Sequence, residues 1–150
     1  MEWLKRKVTT TDFSNIYHAV LSGDAVDFEA SVKKYLKRCI SFYDEKETFY
    51  HGLMLGILGN LEDYRIMSNR EMGDCRADII LKPLDDQNPA VILELKYTKV
   101  STKLEEGCDE ALDQIENRNY ADELLEDECN GIIKYGICFC KKNCRIKRGH

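Results

Sequence analysis

The chain has 150 residues, a net charge of −5 and the apolar and charged fractions of an ordinary soluble globular protein. This length fits one domain, or one domain with a helical extension. The acidic balance argues against a protein that coats nucleic acid through a broad basic surface. No apolar run reaches the roughly 20 residues of a membrane helix, and the N-terminus lacks the apolar centre of a signal peptide. We therefore expect no membrane association and a cytoplasmic location.

The seven cysteines are an odd number and are scattered along the chain. This pattern indicates reduced thiols in a cytosolic protein rather than a secreted disulfide framework. Cys138, Cys140 and Cys144 could form a zinc cluster, but they lack the paired Cys-x-x-Cys spacing of such sites. The favoured interpretation is two buried thiols on one face of a strand and a third across a hairpin.

The first part of the chain, over residues 9–43, predicts two helices separated by Gly23. Thr11 and Asp12 are candidate caps for the first helix, and Asp24 is a candidate start for the second. Both segments carry apolar residues at helical spacing and no catalytic pattern. We therefore assign residues 1–43 to a helical extension and residues 44–150 to the core.

A third helix is predicted from about residue 45 to residue 61, with Glu47 in its first turn. Glu47 has two interpretations. It could point at carboxylates carried by the strands that follow, or it could be a first-turn acid favoured by the helix dipole.

Three predicted strands follow with short links and form a meander. The first covers residues 64–68, and the second carries Asp78 at the head of its apolar part. The third covers residues 89–96, an unbroken apolar run that ends with Glu94, Leu95 and Lys96. Side chains alternate along a strand, so Glu94 and Lys96 share one face and Leu95 points to the other.

Asp78, Glu94 and Lys96 allow two interpretations. Two carboxylates are hard oxygen ligands suited to Mg²⁺, and a lysine beside that ion can position or activate a water. Alternatively, Glu94 and Lys96 form a buried salt bridge and Asp78 is a solvated turn residue. Local spacing alone does not separate these alternatives.

A long helix is predicted over residues 102–125, and Gln114 falls within its buried stripe. A buried amide is costly unless it is hydrogen-bonded. A buried strand over residues 131–139 follows, then a turn at Lys142 and Asn143 and a short edge strand over 144–147. The helix is a plausible right-handed crossover, which would make the strands before and after it parallel. The predicted fold is α/β, with a mixed sheet and helices on both faces.

Charge is unevenly distributed along the chain. Acidic residues dominate between residues 105 and 128. Basic residues form two clusters that could be phosphate contacts or plain solvated faces: Lys33, Lys34, Lys37 and Arg38, and then Lys141, Lys142, Arg145, Lys147 and Arg148.

These residues, in this order and on these elements, resemble the PD-(D/E)XK nuclease superfamily. More narrowly, the chain is similar to the nuclease-like domain found C-terminal to bacterial AAA-ATPase-like modules. The similarity covers about residues 24–147, with one departure: Ala77 stands where the superfamily's name calls for proline. It is carried by Glu47-Thr48-Phe49-Tyr50-His51-Gly52, Ser68-Asn69-Arg70-Glu71-Met72-Gly73, Arg76-Ala77-Asp78, Glu94-Leu95-Lys96, Ala111-Leu112-Asp113-Gln114-Ile115 and Tyr135-Gly136-Ile137.

The resemblance implies a restriction-endonuclease-like fold and a Mg²⁺- or Mn²⁺-dependent nuclease, with DNA favoured over RNA as substrate. It implies that Asp78, Glu94 and the Leu95 carbonyl hold the metal and that Lys96 orients the water. Glu47 would assist, and Gln114 would tie the helix to the site. Arg76 and Tyr120 would be phosphate or scaffold contacts.

Two other interpretations remain at this point. The first is a regulatory or interaction module that works with an AAA-ATPase-like partner and does not cut. The chain has no Gly-x-x-x-x-Gly-Lys-Ser/Thr loop, so we expect such an ATPase to be a separate module. The second is a homodimer, paired through the edge strand at Cys144 or through the N-terminal helices.

Overall fold

The computed structural model describes residues 13–39, 47–68, 77–118 and 131–150. Within these ranges it contains four α-helices, one 3₁₀ turn (Ser101–Lys103) and five strands. The helices are α1 (Ser14–Ser22), α2 (Ala25–Cys39), α3 (Glu47–Leu58) and α4 (Leu104–Asn117). The strands are β1 (Tyr64–Ser68), β2 (Ile79–Pro83), β3 (Ala90–Tyr97), β4 (Ile132–Cys140) and β5 (Asn143–Arg148).

The break between the first two helices lies where the sequence predicts it. Gly23 has a φ of 78°, the left-handed conformation that glycine adopts at the end of a helix. Asp24 then caps α2, because its Oδ1 accepts a hydrogen bond from Asp27 N at 3.0 Å. The predicted cap at Thr11 and Asp12 lies outside the described residues.

The five strands form one mixed sheet in the order β1-β2-β3-β4-β5. The first three strands are an antiparallel meander, as predicted. β3 and β4 pair in parallel, with Glu94 opposite Gly136, and β5 returns antiparallel to β4. Helix α4 therefore lies between two parallel neighbours in the chain, which confirms the predicted parallel pairing.

Each face of the sheet is covered by a different set of helices. Leu93 and Tyr135 point to the face where α1, α2 and α3 build the main hydrophobic core. Ile92 points to the opposite face and packs with Ile115 of α4. By strand alternation Glu94 lies on the α4 face. The fold is thus the expected α/β arrangement, and its polar strand end lies against α4.

Helix α4 lies unusually close to β4. A Cβ atom added at Gly136 would stand 2.5 Å from the carbonyl oxygen of Cys108 and 3.2 Å from the Ala111 Cβ. Only a residue without a side chain allows this approach. Because Gly136 pairs with Glu94, the same close approach brings α4 against the end of β3.

Two boundaries differ from the predicted ones. The helix predicted over 102–125 is preceded by the 3₁₀ turn and is described as far as Asn117, and residues 119–130 lie outside the described part. The last hairpin turns at Lys141 and Lys142, because Cys140 already pairs with Asn143. Asn143 is a strand residue whose Oδ1 accepts a hydrogen bond from Cys144 N at 2.9 Å, so the predicted turn at Lys142 and Asn143 is one residue late.

Helices α1 and α2 are fastened to the sheet. The Tyr135 hydroxyl donates a hydrogen bond to the Val20 carbonyl at 2.7 Å, and its ring packs edge-on against Phe28 with centroids 5.0 Å apart. Within the described residues, no helix is long and apolar enough to cross a membrane.

Candidate active site

Asp78 and Glu94 meet where β2 begins and β3 ends. Asp78 directly precedes β2, and Ile79 pairs with Leu93, so Asp78 comes to lie beside Glu94. The Asp78 Oδ2 accepts a hydrogen bond from Leu95 N at 2.9 Å. The backbone N of Asp78 also approaches the Glu94 Oε2 at 3.4 Å. The two carboxylates are thus held side by side by backbone groups of each other's strands.

Gln114 joins Glu94 to Lys96. Its Nε2 donates a hydrogen bond to the Glu94 Oε1 at 2.7 Å, and its Oε1 accepts one from the Lys96 Nζ at 2.6 Å. The amide therefore lies between the carboxylate and the ammonium, instead of the direct salt bridge that the sequence left as an alternative. The structure leaves this amide half-buried, and both of its ends have hydrogen-bond partners.

The electrostatics of this cluster centre on Glu94, whose residue surface is only 3% exposed. Burial, and after it the neighbouring negative charge of Asp78, raise the pKa of its carboxyl to about 8. Lys96, the Asp78 backbone N–H and Arg118 oppose this change and lower the pKa. In the metal-free protein, much of the Glu94 population is therefore protonated at neutral pH.

The donor set suits a hard divalent cation. Asp78, which is half-buried, and the buried Glu94 offer carboxylate oxygens side by side, and their mutual repulsion contributes to the raised pKa of Glu94. Mg²⁺ is commonly held by one or two carboxylates, with waters and substrate phosphate completing its coordination. Among the described residues, no group of three or more His, Cys, Asp or Glu side chains could hold a metal. The two carboxylates therefore fit an ion that keeps several other ligands, and do not fit a closed protein cage.

Glu47 belongs to α3, a different element from the strand ends that carry Asp78 and Glu94. It is an exposed residue in the first turn of α3. That helix packs on the sheet face opposite α4, where Tyr50 stacks on Phe139 with centroids 4.6 Å apart. Its contribution to the site stays a prediction, as do the catalytic and metal-binding roles assigned from the sequence to the other residues.

Arg118 is an addition that the sequence reasoning missed. It follows α4, four residues after Gln114, and its charge lowers the pKa of Glu94. The spacing from Gln114 could have indicated this contact, because residues four apart on a helix share a face. Arg76 and Tyr120, the other predicted contacts, lie outside the described residues.

The thiols of the C-terminal hairpin do not converge. Cys138 and Cys140 face α4 together with Cys108, whereas Cys144 belongs to the core on the other side of the sheet. Burial raises the pKa of Cys138 to about 11 and that of Cys144 to about 12, as expected for inert thiols.

The family model of the PD-(D/E)XK nuclease superfamily matches residues 45–149. The matched range contains the complete hydrogen-bonded cluster of Asp78, Glu94, Lys96 and Gln114. No curated protein sequence matches the chain.

Proposed function

The chain belongs to the PD-(D/E)XK nuclease superfamily, and on that premise we propose that it is a metal-dependent nuclease that hydrolyses phosphodiester bonds, with DNA favoured over RNA. The observation that carries this proposal is the hydrogen-bonded chain from Asp78 through Glu94 and Gln114 to Lys96. It combines two hard carboxylates with one cationic donor at the end of two adjoining strands. That combination is what metal-assisted hydrolysis of a phosphodiester requires.

Asp78, Glu94 and the Leu95 carbonyl would hold Mg²⁺ or Mn²⁺. A divalent ion bound there would neutralise charge on the scissile phosphate and lower the pKa of a water. Asp78 contributes a carboxylate whose orientation is fixed by the Leu95 N–H. Glu94 contributes a second carboxylate, which Gln114 orients from the side of α4.

Lys96 supplies the cationic donor. Its ammonium is half-buried and is held by the Gln114 Oε1, so it needs little reorganisation to meet developing negative charge. In this role it orients the attacking water and stabilises the charge on the phosphate. Gln114 is a positioning residue, since it acts through Lys96 and Glu94. Glu47 assists from the start of α3, directly or through a water.

Plasmid nicking with Mg²⁺ or Mn²⁺ tests the proposal. Wild-type protein should convert supercoiled DNA to the nicked form, and EDTA should stop the reaction. Asp78→Ala and Lys96→Ala should each lower the rate by about 100-fold or more, the scale of removing one preorganised charged group. Lys34→Ala, at an exposed position of α2, is the matched control and should cut like wild type. Equal activity in all four proteins would identify a contaminating nuclease and overturn the proposal.

The second candidate is a non-catalytic module that works with an AAA-ATPase-like partner. The outer face of α4 supports it, because this face carries exposed acids that would repel DNA: Glu105, Glu106, Asp109, Glu110, Asp113 and Glu116. Calorimetry with Mn²⁺ separates the two candidates. A nuclease binds Mn²⁺ and loses binding in Asp78→Asn and Glu94→Gln, whereas a docking module shows no binding that depends on these residues.

A homodimer formed through the edge of β5 has less support. The outward N–H of Ile146 donates to the Glu29 Oε1 of α2 at 2.8 Å, so part of this edge is already covered. Light scattering at several concentrations tests the dimer, and a constant monomer mass would exclude it.

A further inference from the structure

A cleft of about 650 Å³ opens at the end of the sheet where β3 and β4 finish. Among the residues that the structure describes, none that lines it is acidic. Its basic lining is Lys33, Lys37, Lys99, Lys141 and Lys142. In a chain with a net charge of −5, this is a local concentration of positive charge that the overall composition does not predict.

Three distant segments build the cleft. Lys33 and Lys37 come from α2, Lys99 follows β3, and the remaining two lysines form the β4–β5 hairpin loop. In the sequence each basic cluster alone is typical of a solvated face. The fold instead brings them to one concave site, where like charges repel one another unless an anion is bound.

Most of these charges have no ion-pair partner among the described residues. Lys33 pairs with Glu29 at 3.3 Å. Within the part of the chain that the structure describes, the other four lysines make no ion pair. The cleft therefore retains a field that can attract an anionic ligand.

The hairpin loop is held in a costly conformation. Lys141 has a φ of 55°, a left-handed conformation in which glycine, asparagine or aspartate is usual. Its carbonyl oxygen accepts a hydrogen bond from the Tyr50 hydroxyl at 2.8 Å, and Tyr50 is itself stacked on Phe139. A two-residue hairpin loop commonly has a positive φ at its first residue, and the hydrogen bond from Tyr50 fixes where this loop presents its two lysines.

A short stretch of chain joins the cleft to the proposed catalytic cluster. Lys99 lies three residues beyond Lys96, just past the end of β3. Ser101 and Asn143, which also line the cleft, add groups that hydrogen-bond to phosphate oxygens.

We propose that this cleft binds the sugar–phosphate backbone of the nucleic-acid substrate. The inference rests on the proposed nuclease function and adds to it the path that the strand takes. Lysines contact phosphates as point charges without reading bases, so the contact is independent of sequence.

The test measures how binding depends on salt. A fluorescently labelled DNA duplex is titrated with the protein in EDTA, where no cutting occurs, between about 50 and 200 mM salt. The cleft variant is Lys141→Asn/Lys142→Gln, in which asparagine suits the left-handed position. The control is Lys34→Gln/Arg65→Gln, which removes the same charge from exposed sites outside the cleft. Lys99→Gln is a second cleft variant that leaves the hairpin intact.

Each lost phosphate contact lowers the slope of log K against log salt by about 0.9 for duplex DNA. For the double cleft variant, the magnitude of this slope should therefore be smaller than that of wild type by about 1.8. Between the lowest and the highest salt, wild type should lose about 10 times more affinity than this variant loses. Lys99→Gln should lose about 0.9, and the control should keep the wild-type slope.

Equal slopes for the cleft and control variants would overturn the inference, as would failure of wild type to bind the duplex at low salt. Vesicles with anionic lipid are run in parallel. Loss of vesicle binding in the cleft variant, with duplex binding unchanged, would overturn it in favour of a membrane. If wild type cuts DNA and the cleft variant keeps the wild-type slope, only the proposed role of the cleft is refuted. If wild type binds DNA through the cleft but never cuts it, only the proposed nuclease function is refuted.

Discussion

Gln114 donates a hydrogen bond to Glu94 while accepting one from Lys96, over 2.7 and 2.6 Å. One neutral side chain thereby satisfies a buried carboxylate and an ammonium without a direct ion pair between them. In a direct ion pair, the two opposite charges would largely neutralise each other. The amide instead leaves each charged group with remaining capacity to meet a ligand.

Replacing Gln114 with leucine should therefore impair the site without emptying the space that the side chain fills. We expect nicking activity to fall by about 10- to 100-fold, the usual cost of removing a partner that orients a metal ligand. Mn²⁺ affinity measured by calorimetry should fall as well. Asp113→Asn, at the exposed neighbouring position, is the control. Wild-type Mn²⁺ affinity in Gln114→Leu would contradict the positioning role.

The raised pKa of Glu94 predicts that the metal-free protein is less stable in alkaline than in acidic solution. Its carboxyl has a pKa of about 8 in the folded protein against an ordinary value of 4.5. The folded state therefore binds this proton more tightly than the unfolded state does. The resulting stability is complete below the ordinary value and is lost as the pH rises through about 8.

The measurement is urea unfolding in EDTA at several pH values from 5 to 8. Glu94 should lower the free energy of unfolding by up to about 1.4 kcal/mol per pH unit across this range. Glu94→Gln should remove that slope, and Glu116→Gln, at an exposed site on α4, should preserve it. An identical pH dependence in wild type and Glu94→Gln would show that Glu94 is ionised throughout.

Much of this arrangement could be predicted from the sequence. Strand alternation alone places Glu94 and Lys96 on one face, and the crossover rule gives the parallel pairing that the structure confirms. The hydrogen bond between Lys96 and Gln114 was harder to predict. Strand and helix periodicity give the face on which a residue lies, but not which side chain on the facing element it contacts. The lysine cleft was also beyond prediction, since α2 and the hairpin are about 100 residues apart in sequence and only tertiary packing brings them together.

Gly136→Ala should weaken the fold and the site together. The new methyl group would meet the Cys108 carbonyl at 2.5 Å, so α4 must move away from β4 and carry Gln114 with it. Overpacking of this kind costs about 1–3 kcal/mol, which thermal unfolding would detect. Gly149→Ala is the control, because its methyl would meet only side-chain atoms, the nearest being the Leu112 Cδ2 at 3.0 Å. Unchanged stability in Gly136→Ala would show that the close approach is not required.

Divalent metal should stabilise the folded protein through Asp78 and Glu94. At 100 times its dissociation constant, a bound ion adds about 2.7 kcal/mol, or roughly 5–10 °C in Tm for a chain of this size. Asp78→Asn should abolish the increase with Mn²⁺, whereas Lys96→Met should retain most of it, since the lysine is not a ligand. An increase in Tm that survives Asp78→Asn would place the ion elsewhere.

The Tyr135 hydroxyl, bound to the Val20 carbonyl at the end of α1, has a consequence for the integrity of the molecule. A protease nick between α2 and α3 would divide the polypeptide but not the folded unit, because buried contacts such as that between Phe28 and Tyr135 cross the cut. The smaller piece would carry Lys33 and Lys37, and the larger piece the complete carboxylate pair. When the two pieces are co-expressed as separate chains, they should reassemble. The activity of this split protein would then report on their association.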